Sequence, residues 1–112
     1  MKLKFFSALL LVLLFGSAAL AAPSVTMLST KTCPACAQMA KVLKEIDKDY
    51  KGKISTAHIY LENNPDIATK YNVRYVPTLI FRDANGNEIA QEIGYKSKSE
   101  VIKIFNSNGV KF

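Results

Sequence analysis

"KTCPACAQM", residues 31–39, holds both cysteines of the 112-residue chain, Cys33 and Cys36. Just before it, "VTMLS" (25–29) is a short apolar run between polar residues, the pattern of a buried strand. Just after it, Met39, Val42, Leu43, Ile46 and Tyr50 recur at helical spacing and form one apolar face. Pro34 suits the first helical position, where its missing N–H costs nothing. The stretch therefore predicts a strand, a sharp exit at Cys33, and a helix to about Asp49 that Gly52 ends. Open α/β sheets place their sites where a strand's C-terminal end meets a helix N-terminus.

Downstream, "ISTAHIYL" (54–61) is rich in β-branched and aromatic residues and predicts a second strand. "NNPDIATKY" predicts a short helix, with Asn64 as cap, Pro65 first and Asp66 in the first turn. Ile67, Ala68 and Tyr71 are expected to face the core. "VRYVPTLIF" carries a proline ahead of its apolar run, so a third strand is expected from Thr78 to Arg82. "DANGN" (83–87) reads as a hairpin turn, and Glu88–Ile93 as the returning strand, closed by Gly94. "SKSE" (97–100) is a capping box that opens a last helix, with Val101, Phe105 and Ile102 or Ile104 buried and Gly109 just beyond its end. The order β-α-β-α-β-β-α predicts a right-handed parallel crossover followed by an antiparallel hairpin. The fold class is α/β, a four-stranded mixed sheet flanked by helices.

Residues 1–21 read as a secretory signal peptide. Lys2 and Lys4 precede an apolar core that is unbroken from Ala8 to Phe15, and Ala19-Leu20-Ala21 has a cleavage-site pattern. The alternative is an uncleaved anchor at the short end of what spans a bilayer. Cleavage leaves 22–112 as one small domain, large enough for a single core. Of 15 basic residues, Lys2 and Lys4 leave with the leader, so 13 stand against 9 acidic ones, a net charge of +4. Lys41, Lys44, Lys48, Lys51 and Lys53 are scattered along a helix and its exit, with no basic stripe interleaved with aromatics. Nucleic acid is therefore excluded as a partner. Export places the chain in an oxidising compartment, such as the periplasm, where disulfides persist.

Three uses of the cysteine pair are open. As a staple, a four-residue loop contributes only about 2 kcal/mol. As a metal site, two Cys and one His, His58, fall short of the four ligands of structural zinc, though two thiolates suit Cu(I). As a redox dithiol, Cys33 gains from the unpaired N–H groups and positive end of the helix, which stabilise a thiolate. Cys33 then attacks a disulfide, and the more buried Cys36 resolves the mixed disulfide. Pro77, in "YVPTLIF", is either strand-start punctuation or a cis-proline beside the dithiol.

"CPAC", "NNPDIATKYNVRYVPTLIFRDANGNEI" and "IGYKSKSEVI" resemble the thioredoxin-like superfamily, in particular small exported bacterial thioredoxins, over about Val25–Phe105. The resemblance implies that Cys33 is the nucleophile, Cys36 the resolving thiol and Pro77 a cis-proline. It implies that Val76 offers backbone groups to an extended substrate, and that Gly94 keeps space near the dithiol. The chain departs from the family pattern in several places. Thr32 stands where a tryptophan is usual, Met27 where many members carry a buried acid, and His58 where that acid's lysine partner falls. The family's usual first strand and helix are missing, which makes a minimal version. His58 is either a packed strand residue or a proton acceptor for Cys36.

Pro34 and Ala35, between the cysteines, tune the potential together with Met27 and His58. Ala35 is not the histidine frequent in strong oxidants, and no oxidase insertion, dimerisation domain or glutathione-binding paired glycine is present. The expectation is a monomeric protein-disulfide reductase with no cofactor, acting on exported proteins and recharged by a membrane electron donor. A Cu(I)- or zinc-binding module and a non-catalytic interaction module are the alternatives.

Overall fold

The computed structural model describes residues 21–112. Residues 1–20, which hold nearly all of the expected leader, lie outside the described residues. Among the described residues, no helix is long and apolar enough to cross a membrane.

The elements follow as β1 (Ser24–Ser29), α1 (Pro34–Asp49), β2 (Ser55–Tyr60), α2 (Pro65–Lys70), β3 (Thr78–Arg82), β4 (Glu88–Ile93) and α3 (Lys98–Ser107). The sheet order is β2-β1-β3-β4. β1 pairs in parallel with β2, Met27 opposite His58, as the helical crossover requires. It pairs antiparallel with β3, Leu28 opposite Thr78, and β3 pairs antiparallel with β4, Thr78 opposite Ile93.

Alternation along the strands sorts side chains to two faces. Val25, Met27, Leu79 and Phe81 are fully buried and join Met39, Val42, Leu43 and Ile46 of α1 and Val101 and Phe105 of α3 in one core cluster. Leu28 and Ile80, also buried, face the opposite side. There the Tyr71 hydroxyl, just past α2, accepts from the Arg82 guanidinium, and the Gln91 side chain donates to the Tyr71 carbonyl. Helices therefore cover both faces of the mixed sheet, as the element order predicted.

Local chemistry sets most element ends as expected. Ser97 accepts from the Glu100 N–H while the Glu100 carboxylate accepts from the Ser97 N–H, completing the capping box. In the β3–β4 turn, Asp83 Oδ1 accepts from the N–H groups of Asn85 and Asn87, and Gly86 takes φ +84°. Two expectations need correction. Asn64 occupies the cap position of α2 but does not cap it, because its side chain donates back to the Tyr60 carbonyl. Ile67, Ala68 and Tyr71 are only half-buried, since a six-residue helix at the margin of the sheet covers little area. β2 is an edge strand with no fully buried position, so Ile54, just before it, reaches the core and the strand itself does not.

Phe105 is fully buried, edge-to-face with Phe81 at 5.0 Å and with Phe112 at 5.5 Å. Phe105→Ala is expected to lower stability by about 3–5 kcal/mol. Urea denaturation checks this, and an unchanged midpoint overturns the assignment of Phe105 to the centre of the core.

Candidate functional site

β1 runs buried to Ser29 and leaves its strand through a turn that places Cys33 at the N-cap of α1. Cys33 has extended backbone angles, φ −130° and ψ 103°, as an N-cap should. Its Sγ accepts the Cys36 N–H at 3.1 Å, so sulfur does the capping usually done by an oxygen. Pro34 follows as the first helical residue and gives up no hydrogen bond. The two cysteines form a disulfide with Cα atoms 5.2 Å apart. Cys33 is half-exposed, whereas Cys36 is 3% exposed and belongs to the core cluster. The asymmetry expected from one helical turn of separation is thus present. The same N–H and the helix end favour a thiolate on Cys33 over a thiol once the disulfide is opened.

Pro77 lies at the same end of the sheet, because antiparallel pairing sets the start of β3 beside the end of β1. The Val76–Pro77 peptide is cis and Pro77 is fully buried. Val76 is half-buried and, like Cys33, is packed against the core cluster. The Thr78 hydroxyl donates to the Tyr75 carbonyl at 2.7 Å, and Gly94 N–H donates to the Pro77 carbonyl at 2.8 Å. The β4 exit is thereby fastened to the proline loop. Around this end Tyr75, Ile93 and Tyr95 stand 67%, 54% and 48% exposed, an apolar rim that the sequence reading did not single out. No buried periodicity marks these residues, because Tyr75 and Tyr95 lie in loops and Ile93 is the exposed last residue of β4.

Met27 is fully buried beneath the site and accepts no proton. Met39, beside it in the core, takes the Lys96 N–H on its sulfur at 3.3 Å. Pro34 and Ala35 are exposed. His58 is not a packed residue: it is exposed on β2, its ring tilted 4.5 Å from that of Tyr60. Its Nε2 is 2.5 Å from the hydroxyl oxygen of Ser29, which is fully buried. Partial burial of the imidazole lowers its pKa from the ordinary histidine value. A cavity of about 310 Å³ brings Ser29 and His58 to the two cysteines, with Lys31, Lys41 and Lys44 around its mouth. Ser29 was missed in the sequence, where it reads as the polar end of an apolar strand. Its alternation with Val25 and Met27 was the available signal. Among the described residues, no group of three or more His, Cys, Asp and Glu side chains is placed to hold a metal ion.

Gly94 takes φ +92°, and a Cβ built on it would meet nothing within 4 Å. Glycine is needed here for its backbone angle and not for space beside the dithiol, which corrects the expectation from the resemblance. Gly94→Ala is expected to cost about 1–3 kcal/mol through backbone strain. A thermal melt of the variant checks this, and a wild-type Tm overturns it.

Comparison with known proteins agrees with this geometry. The profile of the thioredoxin-like domain family matches residues 18–108. Thioredoxin of Pseudomonas aeruginosa is 38% identical over 77 residues, covering 68% of this chain and 69% of that protein. Thioredoxin of Rickettsia bellii is 30% identical over 77 residues, covering 68% and 71%. Among solved structures, a thioredoxin-like protein from Clostridium perfringens superposes with a TM-score of 0.71 at 38% identity, covering 81% of this chain and 74% of that one. A malarial protein reaches a TM-score of 0.73 at 24% identity, covering 80% and 99%, and bears on the fold alone. The chain belongs to the thioredoxin-like domain family, and its Cys-x-x-Cys pair, Cys33 and Cys36, makes it a thiol–disulfide oxidoreductase.

Proposed function

We propose that the chain is a monomeric protein-disulfide reductase acting on exported, periplasmic proteins. The observation that carries the reading is the graded pair at the start of α1: a half-exposed Cys33 whose sulfur accepts the Cys36 N–H, over a buried Cys36. The Cys33 thiolate attacks one sulfur of a substrate disulfide and expels the other as a thiolate. Cys36 then attacks Cys33 Sγ, closes the Cys33–Cys36 disulfide and releases the second substrate thiol. Two electrons pass to the substrate, and a membrane electron donor restores the dithiol.

Two features support a polypeptide substrate. The cis Val76–Pro77 peptide precedes β3 at the sheet end that carries the dithiol, a place suited to pair with an extended segment. The rim of Tyr75, Ile93 and Tyr95 offers apolar contact to a chain that is not fully folded. Export is supported by the leader-like residues 1–21 and direction by Ala35, which supplies no cationic side chain to hold the reduced form.

Insulin reduction tests the chemistry: Cys33→Ser is expected to fall to the uncatalysed rate, and full activity in that variant overturns the reading. Cys36→Ser is expected to accumulate mixed disulfides that reductant releases, identifying substrates directly. Equilibration with glutathione tests direction, with a potential near that of thioredoxins, about −270 mV, expected. A value near the about −120 mV of strong oxidants overturns the reductase direction.

A further inference from the structure

The exchange proposed above requires a proton to leave Cys36, and the site has no carboxylate for it. Met27 is fully buried in the same core cluster as Cys36, and the described residues that line the cavity include no Asp or Glu. The other ionisable lining side chains are Lys31, Lys41, Lys44 and Tyr60, none of them an imidazole or a carboxylate. His58 is the one described lining group able to take a proton there. It is also tethered, since Ser29 Oγ is 2.5 Å from its Nε2. Ser29 itself is fully buried, faces the α1 side of the sheet with Val25 and Met27, and opens on the same cavity as Cys36.

We infer that Ser29 and His58 form the proton relay of the resolving cysteine. Cys36 passes its proton to Ser29 Oγ as the Ser29 hydroxyl proton moves to His58 Nε2. The Cys36 thiolate then attacks Cys33 Sγ, a Cys33–Cys36 bond forms, and the Cys33–substrate bond breaks with its electron pair leaving on the substrate sulfur. The imidazolium returns its proton to solvent or to that departing thiolate. The inference rests on the dithiol reading of the site. Partial burial lowers the imidazole pKa from its ordinary value, which favours the neutral form that accepts a proton. The charged side chains around it are Lys31 from the loop after β1 and Lys41, Lys44 and Asp47 from α1, and the Tyr60 phenol of β2 lies beside it. Asp47 accepts from the Thr56 hydroxyl at 2.5 Å and lines, with His58, a second cavity whose lining does not include the cysteines.

The experiment mixes reduced protein with 5,5′-dithiobis(2-nitrobenzoate) and follows release of the coloured thiolate by stopped flow. The first release reports attack by Cys33 and the second reports resolution by Cys36; the leaving thiolate needs no proton. In His58→Gln the second release is expected to slow about a hundredfold at pH 7, with the first unchanged. The deficit is expected to narrow as the pH rises and hydroxide takes the Cys36 proton in place of His58. Wild-type resolution should fall in acid as His58 protonates, an inflection that His58→Gln lacks. Ser29→Ala is expected to show the same pH-dependent deficit, and the double variant no more than either. His58 is exposed, so His58→Gln leaves the core untouched. A wild-type pH profile in His58→Gln overturns the relay, as does a deficit in His58→Gln with none in Ser29→Ala. A wild-type protein that gives no second release overturns the dithiol reading itself, and the relay with it.

Discussion

Everything at the site depends on the burial of β1. It pairs with β2 on one edge and β3 on the other, and its positions from Val25 to Ser29 are buried, two of them polar. A strand held on both edges cannot shift register without exposing its apolar side chains. Its C-terminal end is therefore a fixed point, and the turn that follows it delivers Cys33 to the start of α1. The apolar face of α1 joins Val25 and Met27 of the same strand in one core cluster through Met39, Val42 and Ile46. The cysteines thus inherit their positions from the core.

The second half of the site is brought in by the antiparallel hairpin. Because β3 runs against β1, its first residues stand beside the end of β1, and Pro77 arrives next to the dithiol although it lies 41 positions beyond Cys36. The Gly94–Pro77 hydrogen bond then draws the end of β4 into the same neighbourhood. Three chain segments meet at one sheet end: the first brings the sulfurs, the second the cis-proline and Tyr75, the third Ile93 and Tyr95 of the apolar rim. The parallel strand β2 adds a fourth contribution, since its register sets His58 opposite Met27 and within reach of Ser29.

The site differs from a carboxylate-assisted dithiol in a way that follows from those registers. Substituting Met27 into the core removes the need to bury a charge beneath Cys36, whose desolvation would be costly. The proton chemistry is displaced one strand outward, to an imidazole with solvent on one side and a buried hydroxyl on the other. Such a base exchanges protons with water readily and needs no ionised group in the core.

Much of this was legible in the sequence. Apolar patterning and strand-type composition located β1, α1 and β2, and cap, proline and turn residues located the other four elements, because both act within a few residues along the chain. The capping box, Pro34, Pro65 and Gly109 marked helix ends because they act on the backbone within a turn. The Cys-x-x-Cys spacing identified the dithiol for the same local reason. Tertiary structure alone decided the rest. Strand pairing set Ser29 against His58, 29 positions apart, and joined Gly94 to Pro77. It also gathered Tyr75, Ile93 and Tyr95 at one end, and made β2 an edge strand despite its strand-like composition. Spacing along the chain carries information about neighbours within a turn or a strand. Contacts between distant residues depend on which edges pair and in what register, and those are set by the packing of the whole sheet.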